Sequence, residues 1–503
     1  MKKYTYNILA FLFAFIVVSS CDHDDFLDVQ AEYALTDANA ITDYSKARAA
    51  VNGIYASFRD DAWAGRHGTT LATLSGFVNI AGASVYEMSY TQSDNLAAAS
   101  ALWPVWYRSL NHANFAIKGI TNLSLEAFKD EAEKNALIAE ARLLRAFIHM
   151  HIFWSFGYWW AEDDNPYGLL YRDQPSDLSN VNKARISVGE SYQLIFEDID
   201  FAIAHLSGFS TPRHVSKQFA QAFKAKVLLI RAAMKNDTPE LQTALGLINE
   251  VLTSAPSSFR MEPDMRDVYI KAWDNSENLF VRYLENDGTR FSSGGYWYTY
   301  GFSQIVGDRL PLGPGAEYTA GLIYGADWFR ADPRWTVATG VSRASETWDT
   351  SERWTWVKLG RSGRFAGQQA SPQDDLFATY FMRYPELLIM KAELLARTGA
   401  PISQAIAPIN QLRSSRTYPE LQALIPANQE ELMDLIFREY LFELFLENGS
   451  EFFASMRFQR DGQPYIVTIK NGLPFNITRS ILPVPEAEII NNILMVQNPG
   501  MED

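Results

Sequence analysis

Residues 136–156 read ALIAEARLLRAFIHMHIFWSF. Apolar side chains fall on nearly every side of a 3.6-residue period, and a helix hydrophobic all round must lie buried between neighbours. The segment 125–156 to which they belong opens at Ser124 with Leu125-Glu126-Ala127 behind it, so Ser124 is the expected N-cap. The polar exceptions Arg142, Arg145 and His149 are three and four residues apart and form one stripe. In such surroundings a buried ion-pair network with Glu140, or with a carboxylate on another helix, is expected over a ligand-facing stripe, because an unpaired buried charge is costly. His149 and His151 stand two apart and point in different directions, which argues against a shared metal ion.

Working outward, helical periodicity recurs at 43–58, 103–120, 188–206, 216–234, 240–253, 383–398, 402–413 and 430–446. Short links, as between 216–234 and 240–253, predict antiparallel helical hairpins of tetratricopeptide type. A framework of paired helices is therefore expected. Between about Ser254 and Asp375 the periodicity fades. Gly, Ser, Trp and Tyr cluster, and turns such as Asp287-Gly288, Gly294-Gly295 and Gly313-Pro314-Gly315 recur. A loop-rich subdomain with a few short strands is expected there, set into a rigid frame where binding usually resides. The tail from Ile481, punctuated by Pro483, Pro485 and Pro499, is expected to be mostly extended. Asp434 and Arg438 form an i,i+4 pair in the favourable order. The acidic turn Glu162-Asp163-Asp164-Asn165 lacks the spacing of a calcium loop.

At the other end, Lys2 and Lys3 precede an unbroken apolar run, Ile8 to Val18, followed by Ser19-Ser20-Cys21. The run is shorter than the roughly 20 residues that span a bilayer. It reads as a secretory leader whose cleavage site is a bacterial lipobox, with Cys21 as the lipidated residue. Two or more acyl chains anchor stably where one does not. Asp22, Asp24, Asp25 and Asp28 then suggest a solvated tether. Cys21 is the one cysteine among 503 residues, so its acylation leaves none for a disulfide, a thiolate nucleophile or a cysteine-based zinc site. The formal charge of -15 becomes -17 once Lys2 and Lys3 are removed, which disfavours nucleic acid as a partner. No cofactor or metal is implied.

The aromatic fraction, 14% with 13 Trp and 24 Tyr, exceeds what a core needs in polar-tipped rings. After Gly294-Gly295 comes Tyr296-Trp297-Tyr298-Thr299-Tyr300. If extended, this places Tyr296, Tyr298 and Tyr300 on one face, where rings can cover the C–H patch of a pyranose while phenol groups bond its hydroxyls. The same ladder could equally pack the subdomain onto the helices. Trp273, Trp328, Trp335, Trp348, Trp354 and Trp356 are further candidates.

The block Ala139-Glu140-Ala141-Arg142-Leu143-Leu144-Arg145-Ala146-Phe147, with Tyr158 to Tyr167 after it, resembles a signature helix of the SusD/RagB family of outer-membrane nutrient-binding lipoproteins. Similar agreement is found in order at Val215 to Leu229, Arg383 to Glu393, Ile409 to Arg413, and Leu482-Pro483-Val484-Pro485 with Asn492 and Gln497-Asn498-Pro499-Gly500. Two departures stand out: Pro385, tolerable in a first helical turn, and Glu447 to Phe453, which lacks the Arg-Trp pair the family carries there. The resemblance implies an all-α protein, tetratricopeptide-like helical pairs forming a superhelical scaffold that cradles an irregular ligand-binding subdomain, and a non-catalytic lid over a SusC-like TonB-dependent transporter, capturing oligosaccharides or, in some members, peptides. It also points to Ser84 to Asn95, with Tyr86, Tyr90 and Asn95, as a binding loop.

On this reading residues 1–20 are the leader, 21–38 the lipidated tether, 39–253 an N-terminal helical region, 254–375 the irregular aromatic-rich subdomain and 376–503 a C-terminal helical region with its tail. Two other classes compete. An α-helical glycoside hydrolase needs two carboxylates about 5 to 10 Å apart across a cleft, and no pair is marked by sequence. A purely structural repeat scaffold explains the helices but neither the aromatic insertion nor the leader.

Overall fold

The computed structural model describes residues 40–58, 62–63, 67–75, 92–272, 274–284, 327–343, 352–356, 377–469 and 475–501, with the backbone alone at 69, 73, 92–97, 283–284, 327, 330, 339–343, 352–356 and 377. In chain order the helices are α1 (Tyr44–Ser57), α2 (His67–Ser75), α3 (Gln92–Asn122), α4 (Glu131–Phe156), α5 (Val188–His205), α6 (Lys217–Lys235), α7 (Thr238–Ser254) and α8 (Met265–Ile270). Strand β1 (Asn278–Leu284), short helices α9 (Asp327–Ala331) and α10 (Trp335–Ala338), and strands β2 (Thr339–Arg343), β3 (Glu352–Trp356) and β4 (Phe377–Arg383) follow. Next come α11 (Tyr384–Arg397), α12 (Ile402–Ser415), α13 (Gln429–Leu444) and α14 (Ser450–Arg457), the strand pair β5 (Gln459–Arg460) and β6 (Gln463–Pro464), α15 (Tyr465–Ile469) and α16 (Glu486–Asn491).

Helix α4 is the axis of the frame. It packs against α1, α3 and α5, and from Leu137 to Phe156 every residue but Arg142 is buried. Its start differs from expectation. Ser124 caps a separate 3-10 turn, Leu125–Ala127, and α4 begins beyond it. There the Asp130 carboxylate accepts from the Glu133 N–H at 2.8 Å, and Glu133 Oε2 accepts from the Lys129 N–H at 2.7 Å. The first bond satisfies an orphan donor of the first turn, and the second ties the residue before the cap to the helix.

The stripe on α4 is an ion-pair system, as expected, but its partners divide. Arg142 Nε and Arg145 Nε meet Asp198 of α5 at 2.6 and 2.7 Å. Glu140 turns instead to α1, where Arg48 grips it at 2.6 and 3.0 Å. His149 joins neither; its ring stacks on Tyr171 at 4.3 Å. His151 bonds the Phe147 carbonyl at 2.8 Å and Asn448 at 2.9 Å.

Helices α6 and α7 form one hairpin, turned by Asn236 in the left-handed region (φ 55°) and restarted by Asp237, which accepts from Glu240 N–H at 3.0 Å. Helices α11 and α12 form a second, with Gly399 at φ 81° in its turn. Pro385 sits in the first turn of α11 and is accommodated there. Helix α7 packs on α11, so the two hairpins stack, and α13 and α14 extend the layer. The buried pair Lys226 Nζ and Glu386 Oε1, 2.6 Å apart, links α6 to α11 across it. The acidic turn is anchored too: Asp163 meets Arg231 at 2.8 Å and Lys235 at 2.7 Å, both on α6.

The closing motif has a structural task. Phe156 O and Ser155 O, orphan carbonyls at the end of α4, accept from Asn498 Nδ2 at 3.0 Å and Leu482 N at 2.7 Å. Gln497 completes the clasp by bonding both Val484 N and Val484 O at 2.8 Å. The tail is not extended throughout, because α16 forms immediately after Pro485. No helix among the described residues is long and apolar enough to cross a membrane.

Candidate ligand-binding site

The irregular region hangs from a two-stranded antiparallel ladder, β1 with β4, in which Leu284 pairs with Phe377. The end of β1 and the start of β4 are thus neighbours on the frame. Buried charge roots this ladder. Glu277, just before β1, meets Arg383 at the end of β4 at 2.6 Å. Arg383 forks onto Glu447 at 2.8 Å through both Nε and Nη2. Arg416, just after α12, bonds Glu277 and also Glu443 of α13, the latter at 2.8 Å.

From Glu443 the network runs on to Arg334 at 3.0 Å, and from Arg334 to Glu439 at 2.8 Å and Asp332 at 2.8 Å. Arg413 closes it on Glu439 at 2.5 Å. Four arginines face five carboxylates here. Burial works to raise the Glu443 carboxyl, but Arg416, Arg334 and Arg383 outweigh it and hold the group far below the carboxylate range. Each oxygen of the five carboxylates has an arginine donor.

Helix α9 docks beside this network. Phe329 stacks on Phe442 at 5.7 Å with 13° between the rings, and the Arg438 guanidinium lies 4.8 Å from the Trp328 ring while pairing with Asp434 at 2.7 Å. Trp328 and Trp335, both half-buried, therefore help pack the insertion onto α13. Trp354 and Trp356 sit on β3, in register with Val341 and Thr339 of β2.

The principal sequence candidates fall elsewhere. Tyr296, Trp297, Tyr298 and Tyr300 lie outside the described residues, as do Cys21, Tyr86, Tyr90, Trp273 and Trp348. Asn95 is within α3, described by its backbone alone. The described residues thus provide the mount of the expected site. No group of three or more His, Cys, Asp or Glu among them is placed to hold a metal ion.

One cluster was missed in sequence. Glu140 accepts not only from Arg48 but from Tyr55 Oη at 2.7 Å and His214 Nδ1 at 3.1 Å, beside an open cleft. Burial pushes its carboxyl up, yet the bonds from His214 and Arg48 prevail and hold it at about 2. The legible signal was the carboxylate itself, an acid inside an otherwise apolar helix.

Comparison with known proteins agrees with this architecture. Residues 277–501 match the model of the SusD family, and residues 4–229 match a second model described as starch-binding and associating with the outer membrane. SusD-like protein P2 of Formosa agariphila is 28% identical over 490 residues, covering 90% of this chain and 92% of its own. A SusD superfamily protein from Parabacteroides distasonis superposes with a TM-score of 0.68 at 16% identity, over 93% of this chain and 100% of that one. A laminarin-binding SusD-like protein gives 0.65 at 19%, over 91% and 100%. From the two flanking matches and the shared fold, the chain belongs to the SusD/RagB family.

Proposed function

We propose that this protein is a non-catalytic, cell-surface lipoprotein that captures oligosaccharides and hands them to a SusC-like TonB-dependent transporter, for which it serves as lid. The observation that carries the reading is the pair of family matches, one of them to a starch-binding, outer-membrane-associated group. The laminarin-binding relative supports a glycan as ligand. Anchorage is assigned to Cys21, carrying palmitate or a similar acyl chain behind the cleaved leader.

The reading sites are Tyr296, Trp297, Tyr298 and Tyr300, with Tyr86, Tyr90, Asn95 and Trp273 as contributors. A flat ring over a sugar face gains apolar contact without needing charge. No bond of the ligand is broken in this role.

The test is calorimetric titration of the detergent-extracted protein with starch-type, laminarin-type and other oligosaccharides, alongside a peptide panel. Dissociation constants in the millimolar to micromolar range, about -4 to -8 kcal/mol, are expected for glycans. Replacing Tyr296, Tyr298 and Tyr300 together by Ala should weaken binding by about tenfold or more. Unchanged affinity would clear those rings, binding confined to peptides would overturn the ligand class, and hydrolysis of an offered glycan would overturn the non-catalytic role.

A further inference from the structure

Where the start of α1, the first half of α4 and the 206–216 connection meet, there is a cleft of about 210 Å³. Drug-sized ligands occupy pockets of about 300 Å³ and upward, so this volume suits one small ring. Its polar wall is built: the Glu140 side chain is 9% exposed and receives Arg48, Tyr55 and His214. Oε1 takes three of these bonds and Oε2 one, at 2.6 Å, which leaves acceptor capacity on Oε2.

Arg48 is also fixed through Nε, which donates to Asn52 at 3.2 Å. A planar guanidinium against a carboxylate offers donors and an acceptor side by side, the pattern that two neighbouring hydroxyls of a sugar require. Tyr44, 39% exposed, lines the same cleft with Leu137. Ser210 and Thr211 add hydroxyls from the connection. An apolar ring, a fixed charge pair and hydroxyls, of which that of Thr211 accepts from Arg213 N–H at 3.3 Å and keeps its own proton to donate, are the components of a pyranose contact. Glu133 lines the cleft as well, and with Glu140 it disfavours any ligand carrying a carboxylate.

We propose that this cleft is a second sugar subsite, taking a single uncharged hexopyranose residue between Tyr44 and the Arg48–Glu140 pair. It rests on the proposed function for the class of ligand only, since its residues belong to α1, α4 and the 206–216 connection rather than to the irregular insertion. An oligosaccharide bound by the insertion could be held at a second point here, or a neighbouring chain of the same polymer could be engaged.

The experiment is photolabelling of the detergent-extracted full chain with diazirine-bearing methyl glucoside, galactoside and mannoside, followed by peptide mapping. At least one probe should label residues 41–55 or 206–216. The unmodified methyl hexoside should suppress the label and glucuronate should not. Tyr44→Ala and, separately, Thr211→Val should each cut labelling of these peptides by about fivefold while leaving the thermal midpoint close to wild type. Label confined to other peptides, equal protection by glucuronate, indifference to both substitutions, or no labelling by any of the three probes would overturn the subsite. Labelling within 285–376 is read in the same map, so failure of the principal site and failure of this one are told apart.

Discussion

Arg383 Nη1 lies 2.6 Å from Glu277 Oε2 with both side chains fully buried, so the last residue of β4 is fastened to the residue that precedes β1. The charges have no water to fall back on. Removing one partner leaves the others buried and uncompensated, a cost of about 3 to 5 kcal/mol. Arg383→Met should lower stability by that amount in urea unfolding. Arg383→Lys, which keeps the charge but not the fork, should lose less. A loss under about 1 kcal/mol for the Met variant would mean the network is solvated after all.

Phe329→Ala tests the second attachment. The ring is buried between Phe442 and Phe445, and its truncation should cost about 3 kcal/mol or more. If α9 helps hold the insertion in its binding arrangement, glycan affinity should fall with it. Calorimetry on a variant still folded at the working temperature reads both, and unchanged affinity would restrict α9 to packing.

Two glycines should respond in opposite senses. A Cβ on Gly168 would come within 2.4 Å of both Ser187 O and Ser191 Oγ. Gly168→Ala should therefore destabilise by about 1 to 3 kcal/mol. A Cβ on Gly246, within α7, meets nothing inside 4 Å. Gly246→Ala should stabilise by about 0.5 to 1 kcal/mol. Thermal midpoints moving the same way for both would contradict this reading of the backbone contacts.

Acid should unfold the protein in two stages. Burial pushes the His151 imidazole down to about 4 and holds His67 and His149 well below the usual 6.5. The unfolded chain accepts protons that these rings refuse. Their contribution is therefore complete above pH 6.5 and is lost as pH falls toward 4, roughly 3 kcal/mol for His151 alone. Glu140, held at about 2 against an ordinary 4.5, gives stability present above 4.5 and lost as pH falls through 2. The midpoint measured against pH should decline from about pH 6.5 downward, and His151→Gln should flatten the upper stage. A level profile from pH 7 to about 5 would count against neutral buried imidazoles.

Cys21→Ser should abolish metabolic incorporation of palmitate and move the protein from the membrane to the soluble fraction. Persistent labelling of the variant would place the lipid elsewhere.

Helices were legible in the sequence where one periodic face governs them. Expected 188–206 and 402–413 correspond to Val188–His205 and Ile402–Ser415. Errors arose where local signals competed. Ser124 is a good cap, and it does cap a turn, but Asp130 caps the Glu133 N–H while Glu133 holds the Lys129 N–H, and this pair takes the helix. Prolines 483 and 485 suggested an extended tail, yet Pro485 is compatible with a helix start and α16 follows it. Partner choice was the least legible feature. The neutralisation of Arg145 could be foreseen from its apolar surroundings; that Asp198 would do it while Glu140 served Arg48 depends on how helices cross, which no local pattern encodes. The same limit applies to the site, where His214 is unremarkable until the 206–216 connection brings it to Glu140.

Leu284 and Phe377 are partners in the β1–β4 ladder, so the ninety-odd residues between them begin and end at one socket, with Phe329 and Arg334 as a further catch on α13. Lengthening or shortening the stretches on either side of that catch should leave the handle unaltered, since loop closure grows only slowly more costly with length. On the proposed function, a lineage carrying such a socket can change its diet by exchanging the stretches around the catch while keeping the acids and arginines beneath it.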